Sequence, residues 1–242
     1  MKKPSRTSTE GTTLCLVLLS DTHQLHREVE VPDGDIFIHA GDFTMFSESM
    51  DAVVDFNAWL GELPHRYKIV VPGNHEFFLE ADPSERSLLS NATVLINEGP
   101  EVAFKVLLLF HRFNRLSTLP TIEGLRIWGS PVTPMYGGAF GVSSAVDRKK
   151  LYAQIPWDID VLISHGPPFG ILDTAPISGS HEGCRELLDA VTRLRPKLHV
   201  FGHIHTAYGT YQTEHTIFIN AARLGLHDAA DKPPFVLQIT GR

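Results

Sequence analysis

The chain has 242 residues, of which 43% are hydrophobic and 20% are charged, and its formal net charge at pH 7 is -7. This composition is typical of a soluble globular protein with a full hydrophobic core and argues against disorder. The acidic balance argues against a general nucleic-acid binder, which needs a basic face for phosphates, so we expect no long nucleic acid as a partner.

The N-terminal segment has two interpretations. Residues 1–13 are polar and basic, and the apolar run LCLVLL (14–19) that follows resembles the centre of a signal peptide. The run is shorter than the roughly 7–15 residues of such a centre, and no small-residue cleavage site follows it. We therefore predict a flexible tail over residues 1–10 and a buried strand after it. No run reaches the ~20 apolar residues of a membrane span, so no membrane is expected.

Two residue types indicate the cell compartment and the chemistry. The only cysteines, Cys15 and Cys184, are too few for a disulfide scaffold and do not form a CxxC pair, which predicts a reducing, cytoplasmic location. Histidine is abundant, with 13 copies. It is the commonest metal ligand in proteins.

Five short apolar runs each end abruptly in polar residues. In chain order they are LCLVLL before Ser20–His23, DIFIHA before Gly41–Asp42, YKIVV before Pro72–Glu76, DVLIS before His165–Pro168, and LHVF before Gly202–His205. Short apolar runs bounded by Gly and Pro predict strands buried on both faces. In α/β sheets ligands bind at the carboxyl ends of strands, where all five polar clusters lie.

Helical patterns separate some of these strands. Residues 50–60 (MDAVVDFNAWL) and 182–194 (EGCRELLDAVTRL) each place apolar side chains along one helical face. The alternation of strands and helices predicts an α/β fold with its sheet covered on both sides. Further strands are predicted in 102–113, 124–131, 209–222 and 235–240, with a glycine-rich loop over 133–144. Because no repeat or linker interrupts the pattern, we predict a single domain over residues 11–242.

Taken one at a time, the polar clusters have structural explanations as turns, loops and strand ends. Together they supply seven oxygen or nitrogen ligands: Asp21, His23, Asp42, Asn74, His165, His203 and His205. This ligand set suits Mn, Fe, Zn or Mg rather than copper(I) or iron–sulfur clusters. Because seven ligands exceed the four of a tetrahedral zinc site, the pattern predicts two metals that share a bridging carboxylate.

The ordered blocks resemble the signature of the calcineurin-like metallophosphoesterases. They read DTH (21–23), GD (41–42), GNHE (73–76), His165 and GHIH (202–205). The wording SDTH, HAGDF, VPGNHE, SHGPPFGILD and FGHIH, followed by INAA, is similar to the metallophosphoesterase-domain-containing subgroup of animal brain and microbial proteins. The resemblance implies a four-layer α-β-β-α sandwich, two mixed sheets flanked by helices.

The resemblance also implies a role for each ligand. One metal would be held by Asp21, His23, Asp42 and His205, and the other by Asp42, Asn74, His165 and His203, with Asp42 as the bridge. Two divalent ions are implied, manganese first, with iron, zinc or magnesium as alternatives. A hydroxide bridging them would attack phosphorus in line.

The residues around these ligands raise further expectations. His75 resembles the family's catalytic histidine, which donates a proton to the leaving oxygen or stabilises phosphoryl charge; the alternative is a solvent-facing turn histidine. Glu76 either orients His75 or caps the following helix, and we favour the cap. Ile204 is expected to point into the core, as alternation in an extended segment requires.

Several features bear on the substrate. Asp42 is followed by Phe43-Thr44-Met45-Phe46, so the GDxxDRG block of the Ser/Thr protein phosphatases of this superfamily is missing. With no arginine clamp in the blocks, a singly charged diester fits better than a monoester. The resembled subgroup includes cyclic-nucleotide phosphodiesterases, which points to a small, nucleotide-like, cyclic diester.

Aromatic residues in candidate rim loops either stack on a base or pack in the core: Phe43, Tyr136, Phe140 and Phe169. His26 and His111 either reach the pocket or lie on the surface, and we favour the surface. The leading hypothesis is thus a metal-dependent phosphodiesterase. The alternatives are a phosphomonoesterase or nuclease on the same centre, or a metal-binding scaffold that regulates a partner. The complete ligand set together with His75 argues against a scaffold.

Overall fold

The computed structural model describes residues 13–47, 49–99, 122–134, 137–224 and 232–240. Within these ranges the strands are β1 (Thr13–Leu19), β2 (Ile36–His39), β3 (Tyr67–Val70), β4 (Thr93–Val94), β5 (Ile127–Ser130), β6 (Val161–Ser164), β7 (Leu198–Phe201), β8 (Gly209–Gln212), β9 (Ile217–Asn220) and β10 (Phe235–Thr240). The α-helices are α1 (Met50–Glu62), α2 (Phe77–Ala81), α3 (Ala145–Tyr152) and α4 (Arg185–Leu194).

The strands form two sheets of mixed direction. The first has the order β10-β1-β2-β3-β4 and the second β5-β6-β7-β9-β8. In each sheet one pair is antiparallel, β1 with β10 and β8 with β9, and the other pairs are parallel. Because these strands run parallel to one another, their carboxyl ends lie along one edge of each sheet.

The two sheets pack face to face through alternate residues of their strands, which point to one side of the sheet. The layer between the sheets includes Leu16, Leu18, Ile38 and Ile69 from the first and Ile127, Ile163, Val200 and Ile219 from the second. The intervening residues face outward and meet helices. Val17 and Phe37 pack with Phe56 and Trp59 of α1, whereas Leu162 and Phe201 pack with helix α4.

Local sequence accounts for the helix ends. The Ser49 hydroxyl accepts the Asp51 N–H at 3.1 Å and caps α1. Helix α4 ends at Arg195, which adopts a left-handed conformation with φ of 52°. On α1, Val53, Phe56, Trp59 and Leu60 are buried, whereas Val54, which the pattern placed on the same face, is 58% exposed.

The four-layer α-β-β-α sandwich is confirmed, as are the strands of the five polar clusters and the two helical patterns. The predicted tail (1–10) and the predicted strand over 102–113 lie outside the described residues. The single-domain assignment stays a prediction. No helix in the described part of the chain is long and apolar enough to cross a membrane.

Candidate metal centre

The predicted ligands follow the carboxyl ends of five parallel strands, three in the first sheet and two in the second. Asp21 and His23 follow β1, Asp42 follows β2 and Asn74 follows β3. In the second sheet His165 follows β6, while His203 and His205 follow β7. The two sheets are joined next to these residues, where Ser20 forms an isolated β-bridge with Ala222. All seven side chains are therefore brought to one region between the sheets.

Four of these residues have a strained backbone. Asp21, His23, Asp42 and His203 have φ values of 55°, 40°, 55° and 68°, in the left-handed region that non-glycine residues rarely enter. Hydrogen bonds between the loops hold this conformation, with Asp21 N donating to Gly41 O at 2.9 Å and His23 N to Asp42 O at 3.0 Å. Strain of this kind is concentrated at functional sites, where the surrounding structure enforces it.

Two glycines allow the loops to approach the carboxylates. A Cβ at Gly73 would overlap Asp42 Oδ1, and a Cβ at Gly202 would overlap Asp21 Oδ2 and the Ser20 hydroxyl. Any other residue would overlap a carboxylate at these positions, which explains the glycine in both GN (73–74) and GH (202–203).

The first ligand group contains Asp21, His23 and His205, whose ligand atoms lie within 4.8 Å of one another. His205 Nε2 lies 3.3 Å from Asp21 Oδ1 and 3.3 Å from His23 Nε2. The Nδ1 atom of His23 lies 3.2 Å from the Thr44 carbonyl, which fixes the proton on Nδ1 and turns Nε2 to the group. The charge and spacing of these atoms suit a divalent cation.

The second ligand group contains Asp42, His165 and His203, again within 4.8 Å. His165 is fully buried and donates from Nδ1 to the Ala40 carbonyl at 2.9 Å. Its Nε2 faces Asn74 Oδ1 at 2.9 Å and Asp42 Oδ2 at 3.2 Å. A nitrogen and two oxygens thus converge on one point, as in a metal site with a histidine oriented by a backbone carbonyl.

The electrostatics also favour a cation. Burial raises the pKa of Asp42, but the neighbouring His165 outweighs burial and lowers it to about 2. Burial likewise raises the pKa of Asp21, and His205 lowers it below its usual range. His165, whose pKa burial alone would lower, has a pKa of about 9 because of Asp42. Two buried carboxylates therefore hold a positive charge beside them, which a divalent ion would supply.

His75 lies at the edge of both groups. Its Nδ1 accepts the Phe46 N–H at 3.3 Å, so the neutral ring carries its proton on Nε2, which lies 3.8 Å from Asp42 Oδ2. His75 forms a third possible ligand group with His23 and Asp42. A protonated Nε2 is a donor rather than a ligand atom. Burial lowers the pKa of His75. The ring is mostly buried at the site and is not a solvent-facing turn histidine.

The structure does not support the favoured interpretation of Glu76 as a helix cap. It occupies the N-cap position of α2, but its side chain makes no cap. Its carboxylate instead accepts from Asp42 N and Gly73 N at 2.9 and 2.7 Å and from Thr44 N and Oγ1 at 2.9 and 2.8 Å. Burial and the Asp42 carboxylate raise the pKa of Glu76 to about 7, although the four donors favour its ionised form. Glu76 thus fastens the Asp42 loop to the Gly73 turn.

The interpretation of Ile204 also needs correction. Strand β7 ends at Phe201, and His203 has a left-handed φ, so the alternation of an extended strand does not apply to residue 204. Its side chain is half-buried rather than part of the core. The two histidines on either side of it still point to different ligand groups, His205 toward Asp21 and His203 toward Asp42 and His165.

The remaining candidates are placed as follows. Phe43 is fully buried and stacks on Phe56, so the packing alternative applies. Phe140 packs in the cluster beneath α1, and Phe169 lies under the Arg185 guanidinium at 3.6 Å. His26 is neither at the pocket nor on the surface, because it is buried against Trp59 and contacts Asp55 at 2.9 Å. Tyr136 and His111 lie outside the described residues.

A cavity of about 330 Å³ opens at the ligand groups and is lined by His23, Asp42, Met45, Asn74, His75, His203 and His205. Two further cavities, of about 580 and 380 Å³, contain none of the predicted ligands. Sequence reasoning missed Met45 as a lining residue and Phe46 as the partner of His75. The sequence did contain a signal for these two residues, because Met45 and Phe46 occupy the positions at which the protein phosphatases carry their Asp–Arg pair.

Comparison with known proteins agrees with this geometry. The sequence profile of the calcineurin-like phosphoesterases matches residues 16–207. Metallophosphoesterase domain-containing protein 1 of Homo sapiens is 37% identical over 229 residues, which are 92% of this chain and 70% of the human protein. A UPF0046 protein of Caenorhabditis elegans is 39% identical over 214 residues, 85% of this chain and 74% of the worm protein.

Among solved structures, TT1561 of Thermus thermophilus superposes with a TM-score of 0.53 at 12% identity and covers 96% of this chain and 100% of its own. GAP50 of Plasmodium, described as the anchor in the inner membrane complex, superposes with a TM-score of 0.52 at 11% identity, covering 94% of this chain and 81% of its own. These likenesses support the fold. The profile match and the human relative show that this chain belongs to the calcineurin-like metallophosphoesterase family, whose members are metal-dependent phosphoric ester hydrolases.

Proposed function

We propose that this protein is a dinuclear-metal phosphodiesterase that hydrolyses small, nucleotide-like diesters, including cyclic ones. The observation that supports this best is the convergence of seven oxygen and nitrogen ligands from two sheets, five of which line one cavity while Asp21 and His165 contact them, with His75 at its edge. A structural metal site would need neither a cavity nor a hydrogen-bond donor at its edge.

The ligand assignment divides the seven side chains between two ions. Asp21, His23 and His205 would hold the first, and Asn74, His165 and His203 would hold the second, with Asp42 available to both. The assignment is supported by the two ligand groups described above. Because the set combines carboxylate, amide and imidazole ligands and has no thiolate, we propose manganese as the native metal, with iron, zinc or magnesium as alternatives.

Bound there, the two ions would activate a water for attack on phosphorus and draw charge from the phosphoryl oxygens. The chain's own residues supply the rest. His75 Nε2–H donates a hydrogen bond to the oxygen of the departing group and stabilises its developing charge, the proton that this oxygen finally takes up comes from solvent, and the Phe46 N–H keeps the His75 proton on Nε2. The His203 N–H, which donates to both oxygens of Asp21 at 3.1 and 3.0 Å, holds that carboxylate in place.

The charge of the cavity favours a diester. Among the described residues that line it, none is arginine or lysine. A monoester dianion therefore meets no side-chain cation there, whereas a diester carries a single charge. The net charge of -7 weakens binding of long nucleic acids, which leaves small diesters as the proposed substrates. The free thiols of Cys15 and Cys184 support the proposed reducing, cytoplasmic location.

The test compares bis(p-nitrophenyl) phosphate with p-nitrophenyl phosphate, after metal removal and again after addition of Mn²⁺. We expect metal-dependent turnover that is faster on the diester. His75→Ala should retain both ions by elemental analysis yet lose about 10²–10³ of kcat, the usual contribution of one hydrogen-bond donor to developing charge.

Each other outcome has a definite meaning. Faster monoester turnover would keep the metal centre and overturn the diester assignment. Loss of an ion in His75→Ala would make His75 a ligand. Two bound ions with no turnover on either compound would favour a regulatory scaffold.

A further inference from the structure

Two apolar side chains stand at the rim of the cavity beside His75. Met45 lines the cavity, and the Phe46 ring stacks on the His75 ring with 3.9 Å between centroids and 21° between planes. Phe46 nevertheless remains 52% exposed to solvent. We call this pair the Met45–Phe46 lip.

The lip is held in place at a conformational cost. Phe46 and Ser47 both have left-handed φ values, 51° and 54°, which non-glycine residues adopt rarely. Two hydrogen bonds fix this turn to His75, from the Phe46 N–H to Nδ1 at 3.3 Å and from the Ser47 hydroxyl to the His75 carbonyl at 2.8 Å. A strained turn that keeps a large aromatic ring in water indicates a function for that ring.

The position of His75 determines which part of a substrate meets the lip. A hydrogen-bond donor such as His75 Nε2–H lies about 2.7–3.2 Å from the oxygen that accepts from it. The group attached to that oxygen then extends beside His75, where Met45 and Phe46 lie. The other residues lining the cavity are all polar: His23, Asp42, Asn74, His203 and His205. Among the described lining residues Met45 is the one apolar side chain, and the exposed Phe46 ring stacks on the lining residue His75, so an apolar portion of the departing group meets apolar contacts at the lip.

We propose that the Met45–Phe46 lip is a leaving-group subsite that takes an aromatic or heteroaromatic ring carried by the departing group. This rests on the proposed function, because it places the departing group at His75. A flat ring gains contact with the exposed portion of Phe46 and with the Met45 thioether, both favourable for aromatic partners.

The test measures binding by calorimetry to the Mn²⁺-loaded protein with two ligands that are not cleaved. Benzylphosphonate and ethylphosphonate both replace the ester oxygen with a methylene and differ only in the ring. We expect benzylphosphonate to bind about 3–10-fold more tightly, the size of one aromatic contact. In Phe46→Ala this ratio should fall to about 1–2 while the ethylphosphonate Kd stays unchanged; Met45→Ala should reduce the ratio partly.

Two variants act as controls. Phe46→Tyr keeps a ring and should keep the ratio. Trp157→Ala removes an aromatic ring that is 79% exposed at the opposite, amino-terminal end of β6, and should also keep it.

The outcomes separate this proposal from the proposed function. Equal binding of the two ligands by the wild type, or a ratio that survives in Phe46→Ala, overturns the subsite alone. An equal loss of both ligands in Phe46→Ala also overturns it, because Phe46 would then only support the site. Ethylphosphonate binding that does not depend on metal overturns the proposed function and the subsite with it.

Discussion

Glu76 is the side chain that connects the two central loops of the site. It accepts from the backbone of Asp42, Thr44 and Gly73, and it is fully buried. Asp42 Oδ1 in turn accepts the backbone N–H of His75 at 3.0 Å, while Asp42 Oδ2 faces the ring of His165. A residue that need not touch metal or substrate thus sets the position of one that touches both ligand groups.

Glu76→Gln should destabilise the protein even in the absence of metal. Either orientation of the amide places an NH₂ group against two donors, and each buried unsatisfied donor costs about 1–3 kcal/mol. We expect a loss of at least about 2 kcal/mol in the free energy of unfolding, measured by urea denaturation of metal-stripped protein. Glu62→Gln, which breaks an exposed ion pair with Arg27, should cost less than about 1 kcal/mol. Equal losses in the two variants would contradict this role for Glu76.

At the scale of the element, the loops after β2, β3 and β7 each require a close backbone approach at a glycine. The glycine of GHIH shows the requirement most directly, because a side chain there would overlap both Asp21 and Ser20. Such a side chain would displace the carboxylate without touching the layer of apolar residues between the sheets.

Gly202→Ala should therefore lose metal while the protein stays folded. We expect the metal content of purified protein to fall by about one ion or more, with little change in far-ultraviolet circular dichroism. Gly166→Ala is the control, because Gly166 lies in the loop after β6 and its Cβ would meet only Thr133, at 3.2 Å. Full metal content in Gly202→Ala would show that the Asp21 carboxylate can move without losing the ion.

Strand β7 also contains a buried histidine that links two strands. His199 Nε2 and the Ser164 hydroxyl are 2.8 Å apart, and that hydroxyl donates to the Gly166 carbonyl, so His199 is the donor. Its Nδ1 has no hydrogen-bond partner in the described part of the chain. Burial lowers the pKa of His199 from 6.5 to about 3, so the folded state holds the ring neutral.

This predicts a pH dependence of stability. In the unfolded chain His199 binds a proton below about pH 6.5, whereas in the folded state it does so only near pH 3, so the unfolded state gains protons as the pH falls between these values. The stability contribution is thus complete above pH 6.5 and is lost toward pH 3, by up to about 1.4 kcal/mol per pH unit. His199→Gln, which keeps a donor for Ser164, should flatten this slope in urea titrations from pH 4 to 7.

His215→Gln removes an imidazole from the exposed turn between β8 and β9 and serves as the control. If it changed the slope as much as His199→Gln does, the effect would not come from the buried ring.

The five strands that precede the polar clusters were predictable because each is a short, mostly apolar run that stops at Gly, Pro or a polar residue. Helix α3 was not, because AVDRKKLY has almost no apolar face and buries only Tyr152. Strand β4 has two residues and is recognisable only by its pairing with β3. The turn of Phe46 and the carboxylate contacts of Glu76 were equally hidden, since both depend on loops that meet only in the folded chain.

At the scale of the whole molecule, the site joins the two sheets. Asp21, His23, Asp42 and Asn74 come from the first sheet, and His165, His203 and His205 come from the second. The ordered blocks allowed this ligand set to be predicted from sequence, because strand ends of α/β sheets converge. The layer of apolar residues beneath the site also holds the two sheets together. An ion bound by ligands from both sheets would add to this effect, because separating the sheets would break its coordination.

Metal should therefore stabilise the whole protein. An ion at 100 times its Kd adds about 2.7 kcal/mol, which corresponds to about 5–10 °C in Tm for a chain of this size. We expect EDTA to lower Tm by at least this amount and Mn²⁺ to restore it. Asp42→Asn, which lacks the shared carboxylate, should lose most of the response, whereas Asp55→Asn on the surface should keep it. An unchanged Tm on chelation would mean that the ions do not join the sheets.

The pairing of β1 with β10 has a consequence for how the chain folds. Thr13 and Thr240, which face each other across these strands, are separated by 227 positions in sequence. Strand β10 leaves the ribosome long after β1, so this edge of β1 stays unpaired in the interval. Contacts of such long range form slowly, and an unpaired edge is open to pairing with other chains. We therefore expect this edge of β1 to be a site of aggregation during synthesis until β10 pairs with it.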